Sequence, residues 1–371
     1  MSLCAHFQSS AMSRMARLLP RQFGLRSAAT TTTRRLLSSR VAVDAGGRVV
    51  HTKPSAASSS IATQVEEQGY AVAKKALSPA LLADINRHFE WLRATYPDIP
   101  GEHLHHPLVR RDAFWMHIAT HHDLINLVTP VLGQDLALFA SHYVCKDPQV
   151  GLAVLPHQDV WPLKPMEVVS VFAAIDECSS RNGGLQVLPG SHKPGLQAHH
   201  PTAAGDNVFG ASLSARFKDA VELDLESGDV VIMHANVVHA SKPNKSDLRR
   251  CGLTLRYIPT STQVTNQSRS TSYLWMAAGE KDPAINKYHS WPLYIPGYHP
   301  EFPGCEQWNA ATRRVENEDE HNFAALPLES QIAPGEQRAR EDVANIMETL
   351  SKGKRRAMGG YGCSVERCEI W

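Results

Sequence analysis

Two short segments of this chain place a histidine and an aspartate two residues apart, a spacing that can hold a metal ion. They are "HHD", with His121 and Asp123, and "LPHQDVW", with His157 and Asp159. The chain has 19 histidines among its 371 residues, so one such match is expected by chance. Imidazole and carboxylate groups suit a divalent transition metal when a third ligand completes the set. The surroundings of each pair therefore decide which one is a candidate metal site.

The segment 228–257 offers a third ligand for His157 and Asp159. His234 follows the strand-like "VVIM", and His239 precedes "ASKPNKS", which is typical of a loop. A distal ligand from a distant strand is what a barrel would supply. Spacing alone leaves both histidines open as that ligand.

Helical patterns precede this region. Ser78 and Pro79 suit the N-cap and first position of a helix over "SPALLADINRHFEWLRATY". A second helix is predicted over 120–133, ending at Gly133. Asp123 lies in its first turn, where the helix dipole favours a carboxylate. We therefore interpret the His121–Asp123 pair as structural.

The pattern changes to short strands after residue 133. These segments are rich in β-branched and aromatic residues and are separated by Gly, Pro, Asp or Asn. They read "LALFASHYVC", "MEVVSVFAAI", "GLQVLP", "AVELDL", "DVVIMHA" and "CGLTLRYI". Several short strands at this spacing predict a mainly β fold with flanking helices, in the form of a sandwich or a barrel such as a jelly roll.

Three separated blocks resemble the phytanoyl-CoA dioxygenase family. They are "HQD" at 157–159, "NGGLQVLPGSH" at 182–192 and "GDVVIMHANVVHASKPNKSDLRR" at 228–250. The resemblance extends from about residue 105 to 258, and its strength lies in the order and spacing of the blocks. It implies a double-stranded β-helix, a jelly roll of the cupin-like kind, which agrees with the strand pattern.

The same resemblance implies the site residues. By it, His157, Asp159 and His239 bind Fe(II), and Arg250, eleven residues after His239, holds the distal carboxylate of 2-oxoglutarate. Ser241 matches a position that helps to bind 2-oxoglutarate in similar enzymes. The implied activity is that of an Fe(II)/2-oxoglutarate-dependent dioxygenase. It would use O2 to hydroxylate or otherwise oxidise a small organic metabolite, with release of succinate and CO2.

The chemistry of the residue types supports this assignment. Two neutral imidazoles and one carboxylate leave three positions of an octahedral Fe(II) open, and a planar guanidinium matches a carboxylate. Only one of Arg249 and Arg250 can point inward, because adjacent strand residues face opposite sides. The eleven-residue spacing from His239 in the family pattern favours Arg250. By the same resemblance, related halogenases have a small residue instead of the carboxylate, so Asp159 favours oxygenation or desaturation-type outcomes over halogenation.

Other candidates carry weaker signals. Trp161 could line the substrate pocket or simply pack. Lys146 and Arg256 could face a substrate acid, or each could be an exposed strand charge. His192, in "PGSH", is expected to shape its turn.

Two further function classes stay open beside the oxygenase. One is a cupin-like metal-dependent isomerase or lyase, which would not need 2-oxoglutarate. The other is a non-catalytic β-barrel binding protein with a degenerate site. Arg250 at its spacing argues against the first, and the intact set of ligand types argues against the second.

The N-terminal residues have a different composition from the rest. Residues 1–43 contain eleven Ser or Thr, no acid and no lysine, and seven arginines: 14, 17, 21, 26, 34, 35 and 40. This composition is typical of an organellar transit peptide and predicts mitochondrial import, with a plastid or the cytoplasm as the alternative. Without these arginines, 31 basic residues remain against 37 acidic ones, which disfavours a nucleic-acid partner.

The predicted organisation has four parts. Residues 1–43 form the transit peptide and 44–60 a linker of small residues. The oxygenase domain with its N-terminal helices occupies 61–300, and 301–371 are a C-terminal extension with a polar helix at 334–356. No run of about 18 apolar residues predicts a membrane span, and the seven cysteines form no C-x-x-C pair.

Overall fold

Antiparallel β-strands make up most of the folded chain, as the short β-branched segments predict. The computed structural model describes residues 56–315, except for 98, 100, 102–103, 105–111, 160, 202–210, 214–216, 266 and 268–272. The helices within this range are α1 (Ala56–Gln68), α2 (Pro79–Thr95), α3 (Ala113–Ala119), α4 (His122–Leu132) and α5 (Cys305–Val315). The strands are β1 (Tyr70–Ala73), β2 (Leu136–Lys146), β3 (Val154–His157), β4 (Leu163–Lys164), β5 (Val169–Ala174), β6 (Leu185–Val187), β7 (His199–Pro201), β8 (Ala211–Leu213), β9 (Val221–Glu222), β10 (Val230–His234), β11 (His239–Ser241), β12 (Arg250–Pro259), β13 (Gln263–Val264) and β14 (Trp275–Ala278).

Two antiparallel sheets build the fold. The larger sheet has the order β1-β10-β5-β12-β2-β14, and the smaller has the order β3-β11-β6-β9. Two short strand pairs, β13-β4 and β7-β8, complete the set. Apolar residues of both sheets, such as Val231 and Leu185, share one core cluster, so the sheets pack face to face. This arrangement confirms the predicted jelly roll of the double-stranded β-helix class.

The alternation of side chains along the larger sheet separates a structural face from a pocket face. In β12, Leu253, Leu255 and Tyr257 pack into the core cluster that contains the helices. Arg250 and Thr254, which have the opposite parity, line a pocket between the sheets. Side chains of a strand point alternately to its two faces, so one strand serves both purposes.

The helices cover the outer face of the larger sheet, and their ends follow the sequence signals. Ser78 caps α2 by accepting a hydrogen bond from the Leu81 backbone N–H at 3.3 Å, and Pro79 occupies the first helical position. Helix α4 ends at Gly133, whose φ of 90° is the left-handed conformation that glycine adopts without steric cost. Both predicted helices are therefore present at the expected positions.

Two predicted boundaries need correction. Residues 56–60, which we assigned to the linker 44–60, belong to α1, where Ile61 and Val65 pack one turn apart into the core. The predicted boundary at residue 300 also fails, because Phe302 and Cys305 lie in the main core cluster. Alanine is a good helix former as well as a small linker residue, which explains the first difference.

The remaining predictions concern the two terminal segments, a membrane span and the cysteines. The transit peptide at 1–43 and the polar helix at 334–356 lie outside the described residues. Within the described part, no helix is both long enough and apolar enough to cross a membrane. The four cysteines described there are buried and form no disulfide.

Candidate metal centre and its pocket

His157 and His239 meet because strands β3 and β11 are neighbours in the smaller sheet. The two residues are direct partners in the antiparallel register, and their ring centroids lie 4.2 Å apart. The Nδ1 atom of His157 is 2.9 Å from the Leu155 carbonyl oxygen, and the Nδ1 atom of His239 is 3.0 Å from that of Val237. A carbonyl can only accept, so each Nδ1 carries the proton and the lone pair of each ring is on Nε2.

Asp159 follows β3 and is held from several sides. Its backbone N–H donates to the Ala235 carbonyl at 3.1 Å, and the Ser170 hydroxyl donates to its Oδ2 at 2.6 Å. Arg256 contributes a fork, with Nε 3.2 Å from Oδ2 and Nη2 3.4 Å from Oδ1. The candidate ligand atoms of His157, Asp159 and His239 all lie within 4.8 Å of one another, as a metal site requires.

Burial and charge set the protonation of this group. Burial, together with the neighbouring His239, lowers the pKa of His157 to about 3, so the imidazole is neutral at physiological pH. Burial alone would raise the pKa of Asp159, but Arg256 and the two histidines hold it well below its usual range. The set therefore offers a neutral imidazole at His157 and an ionised carboxylate at Asp159 beside the imidazole of His239. Imidazole and carboxylate groups are the ligand types of a ferrous site.

Arg250 lies buried at the start of β12, with its guanidinium in the pocket. Its Nε donates to the Gly183 carbonyl at 3.1 Å and its Nη1 to the Val144 carbonyl at 3.1 Å. Its Nη2 is 3.5 Å from the Ser241 hydroxyl. Among the described residues, no carboxylate lies within 4 Å of this guanidinium. A buried guanidinium held only by neutral groups is suited to an anionic ligand, because burying a charge without a partner is costly.

Arg249 faces the opposite way, as strand alternation predicts. Its guanidinium bonds Asp176 at 2.8 and 3.0 Å and Glu90 at 2.7 Å, outside the pocket. The Asp176 contacts raise the pKa of Arg249, whereas burial lowers that of Arg250. The register expected for this strand is thus present in the structure.

The pocket between the sheets is lined by both polar and apolar residues. Its polar lining includes the three metal-binding candidates and residues of β2, β11 and β12: His142, Ser241, Arg250, Thr254 and Arg256. Its apolar lining comes from both sheets: Val144, Val154, Phe172, Leu185, Met233 and Ala240. An organic molecule bound in this pocket would therefore meet both charged and hydrocarbon groups.

Phe172 lies against Gly252, and the glycine makes this contact possible. A Cβ atom at position 252 would be 2.3 Å from the Phe172 ring, far inside van der Waals contact. The Phe172 ring in turn lies 5.9 Å from the Arg250 guanidinium carbon, within cation–π range. The aromatic ring thus forms the wall beside the candidate anion-binding group.

Two residues differ from the roles that the sequence suggested. Trp161 is buried against Phe139 and lies 5.0 Å below the Arg256 guanidinium, so it reaches the site through Arg256. It is not among the described residues that line the pocket. Arg256 is neither solvent-exposed nor free for a substrate acid, since it pairs with Asp159. Strand alternation could have predicted this position, because residues 250 and 256 are an even number of residues apart and face the same side of β12.

The competing histidines occupy structural positions. The Nδ1 of His234 accepts the Asn236 backbone N–H at 3.0 Å, and the Nε2 of His192 is 2.9 Å from the Glu66 carbonyl. Their rings face each other at 5.2 Å, and neither belongs to the described metal-binding group. His239 is therefore the distal histidine that completes the set.

The Asn182–Gly183 turn positions Arg250. The Asn182 side chain accepts from the Ser179 N–H at 2.9 Å and donates to the Glu177 carbonyl at 2.7 Å. Gly183 has a φ of 78°, and a Cβ there would lie 2.5 Å from the Lys242 carbonyl oxygen. The predicted turn thus also supplies the carbonyl that fixes the Arg250 Nε.

The His121–Asp123 pair forms the N-terminus of α4. The Nδ1 of His121 accepts the backbone N–H of Asp123 at 3.2 Å, and the Asp123 carboxylate accepts the Ser78 N–H at 2.8 Å. His122 pairs with the other oxygen of Asp123 at 2.9 Å. Ligand atoms of these three residues also lie within 4.8 Å of one another. These contacts are those of a helix cap, as the sequence indicated.

Known proteins have sequences similar to part of this chain. The "Phytanoyl-CoA dioxygenase 1" of Oryza sativa subsp. japonica is 35% identical over 127 residues, covering 33% of this chain and 45% of the rice protein. The "Phytanoyl-CoA dioxygenase domain-containing protein 1" of Danio rerio is 27% identical over 194 residues, covering 50% of this chain and 63% of that protein. The chain thus spans about half the length of the curated relatives that it matches.

A solved structure and a family model complete the comparison. The non-heme monooxygenase ThoJ in its apo form superimposes with a TM-score of 0.55 at 18% identity, covering 77% of this chain and 99% of ThoJ. At this identity the likeness shows the fold.

The family model described as "Phytanoyl-CoA dioxygenase (PhyH)" matches residues 65–252, just over half of the chain, and includes all three metal-binding candidates and Arg250. The cofactors of this family are Fe(II) and 2-oxoglutarate, and the ligand set and the buried guanidinium fit them. The chain belongs to the phytanoyl-CoA dioxygenase family of oxidoreductases.

Proposed function

We propose that this protein is an Fe(II)/2-oxoglutarate-dependent dioxygenase that hydroxylates, or otherwise oxidises, a small organic molecule. One observation carries the proposal. One nitrogen of each of two imidazoles and one carboxylate oxygen lie within 4.8 Å of one another, in the same pocket as a buried arginine that has no carboxylate partner among the described residues. The metal and its anionic co-substrate thus each have matching groups in one cavity.

The metal ligands are His157, Asp159 and His239. The carbonyls of Leu155 and Val237 hold each imidazole with its Nε2 toward the shared point. Such outer contacts fix both the tautomer and the ring orientation of metal-binding histidines. Bound Fe(II) with 2-oxoglutarate supplies the activation of O2, with release of succinate and CO2.

Arg250 and Ser241 bind the distal carboxylate of 2-oxoglutarate. The guanidinium offers a planar set of N–H donors, and the Ser241 hydroxyl lies 3.5 Å from its Nη2. The carbonyls of Gly183 and Val144 fix the orientation of this guanidinium before the ligand binds. Preorganisation of this kind reduces the entropic cost of binding.

The substrate is a small molecule with an apolar part. Val154, Leu185 and Met233 contribute apolar surface to the pocket lining. Burial of an apolar group there is favourable by about 25 cal/mol for each Å² removed from water. The released products are succinate, CO2 and the oxidised substrate.

Succinate formation tests the proposal. The purified protein is supplied with Fe(II), 2-oxoglutarate and O2, and succinate is measured with and without each component. We expect succinate only in the complete mixture, and a higher rate with a metabolite extract that contains the substrate. A cupin-like isomerase or lyase would bind metal without forming succinate, and a non-catalytic binding protein would form none. Absence of succinate in the complete mixture would refute the oxygenase assignment.

We further propose that residues 1–43 direct the protein to mitochondria. Their acid-free, arginine-rich composition supports this, and a plastid is the alternative in a photosynthetic source. A fluorescent reporter fused to residues 1–60 should colocalise with a mitochondrial marker. A diffuse cytosolic signal would refute the proposal.

A further inference from the structure

Arg256 is a buried arginine that contacts the candidate metal ligand Asp159. Its side chain is 6% exposed and that of Asp159 is 7% exposed, so the pair lies away from solvent. The residue stands on β12 opposite Ser170 of β5, which are partners in the register of the larger sheet. Two adjacent strands therefore present two donors to the same carboxylate.

Several neighbours hold the guanidinium in place. The Trp161 ring lies 5.0 Å from its central carbon, and Phe139 packs edge-on against that ring at 5.2 Å. The Nη1 atom is 3.1 Å from Nδ1 of His142 and 3.5 Å from the Thr254 hydroxyl. Rotation of the guanidinium would break its contacts with His142 on β2, with Thr254 on β12 and with the indole ring of Trp161. These contacts therefore fix the direction in which its two N–H groups point toward Asp159.

The two oxygens of Asp159 are not equivalent. Oδ2 accepts from Ser170 at 2.6 Å and from the Arg256 Nε at 3.2 Å. Oδ1 accepts only the longer contact of 3.4 Å from the Arg256 Nη2 among the hydrogen bonds of the described residues. An ionised carboxylate has about four lone-pair sites over its two oxygens. Oδ1 therefore keeps the greater capacity to bind a metal.

We propose that Arg256 is a positioning residue that, together with Ser170, presents Asp159 to the metal through Oδ1 alone. The inference rests on the proposed function, because it takes His157, Asp159 and His239 as the metal centre. A ligand bound through one oxygen leaves more of the metal's positions open for 2-oxoglutarate and O2. A carboxylate that is free to turn can bind through both oxygens and occupy one of those positions.

Cobalt(II) binding to the metal-free protein tests this role without turnover. The metal is titrated anaerobically into wild type, Arg256→Met and Arg256→Lys, and both the affinity and the visible cobalt spectrum are recorded. Loss of an outer contact of a metal ligand weakens metal binding by about 10- to 100-fold. We expect this loss in Arg256→Met together with a changed spectrum. Arg256→Lys should show the same spectral change, because an ammonium keeps the charge but not the fork.

Arg249→Met is the matched control. It removes an arginine from the neighbouring position, whose guanidinium bonds Asp176 and Glu90 outside the pocket. Its cobalt affinity and spectrum should equal those of wild type. Circular dichroism and the melting temperature establish that each variant is folded before its titration is interpreted.

The outcomes separate this inference from the proposed function. If folded Arg256→Met binds cobalt with wild-type affinity and spectrum, the positioning role is refuted. If Arg256→Met does not fold, Arg256→Lys and Ser170→Ala decide in its place, and wild-type spectra in both refute the role. If wild type binds no cobalt, or Asp159→Ala binds it equally well, the metal centre itself is wrong.

Discussion

His121 and Asp123 lie at the start of helix α4, whereas His157 ends strand β3 and Asp159 lies in the loop that follows it. Both pairs belong to three-residue groups whose ligand atoms lie within 4.8 Å of one another. The pairs differ in the role of the histidine Nδ1. In His121 it accepts the Asp123 N–H, and in His157 it lies against the Leu155 carbonyl. Distance alone therefore does not distinguish a metal site from a helix cap.

The difference in hydrogen bonding determines which nitrogen can bind a metal. A neutral imidazole whose Nδ1 accepts a hydrogen bond carries its proton on Nε2, which then has no lone pair to offer. An imidazole whose Nδ1 donates keeps the Nε2 lone pair free. The third member of each group also differs, since His122 is adjacent in sequence while His239 comes from another strand. His239 comes close to His157 only when strands β3 and β11 pair in the folded protein.

Removal of a metal-binding histidine should have the largest effect on iron binding and activity, and it tests the comparison of the two pairs directly. His157→Ala or His239→Ala should abolish iron binding and succinate formation, because one of three protein ligands is lost. His121→Ala should retain both. Iron content of the purified variants, measured by atomic absorption, checks the prediction. Iron loss in His121→Ala with retention in His157→Ala would reverse the assignment of the two pairs.

Arg250→Ala should have the next largest effect. Removal of one partner of a buried charge pair costs about 3–5 kcal/mol. The 2-oxoglutarate concentration needed for succinate formation should therefore rise roughly a hundred- to several-thousand-fold, with iron binding unchanged. Arg249→Ala should change it by less than about fivefold, because a partly exposed ion pair contributes under about 1 kcal/mol. Equal effects of the two substitutions would contradict the assigned register.

Asp123→Ala should affect stability rather than metal binding. The substitution removes the acceptor of the Ser78 N–H and the carboxylate at the N-terminus of α4. Loss of one such partner costs about 1–3 kcal/mol. The melting temperature should fall by several degrees, while iron content equals that of wild type. Asp159→Ala is the matched variant, and it should lose iron.

His234→Ala should have the smallest effect. This ring accepts the Asn236 N–H and faces His192, away from the metal ligands. Iron content and the 2-oxoglutarate requirement should both match wild type within error. If His234→Ala lost iron and His239→Ala did not, the choice of distal ligand would be wrong.

Local signals in the sequence predicted most of the fold. Ser78, Pro79 and Gly133 mark helix ends through their own backbone chemistry, and alternation in β12 placed Arg249 and Arg250 on opposite faces. These features depend on neighbours in the chain. The family resemblance then supplied the distal histidine, which spacing had left open.

The features of the site and the domain boundary that the sequence did not predict depend on contacts between residues far apart in the chain. Ser170 reaches Asp159 because β5 pairs with β12 in the register that sets it opposite Arg256. A single sequence does not specify that register. Phe302 joins the core through contacts with distant aromatic residues such as Phe114, at 5.3 Å, so the C-terminal boundary was also misplaced. Long-range contacts account for these errors.

The absence of a Cβ atom at Gly252 sets how closely the Phe172 ring lies against β12. Because a Cβ at 252 would overlap the ring, any larger residue must displace Phe172 from its place beside the arginine. Phe172 and Arg250 both line the pocket, so such a displacement changes the space next to the guanidinium. One missing methyl group on the larger sheet therefore influences the shape of the cavity that receives the acid.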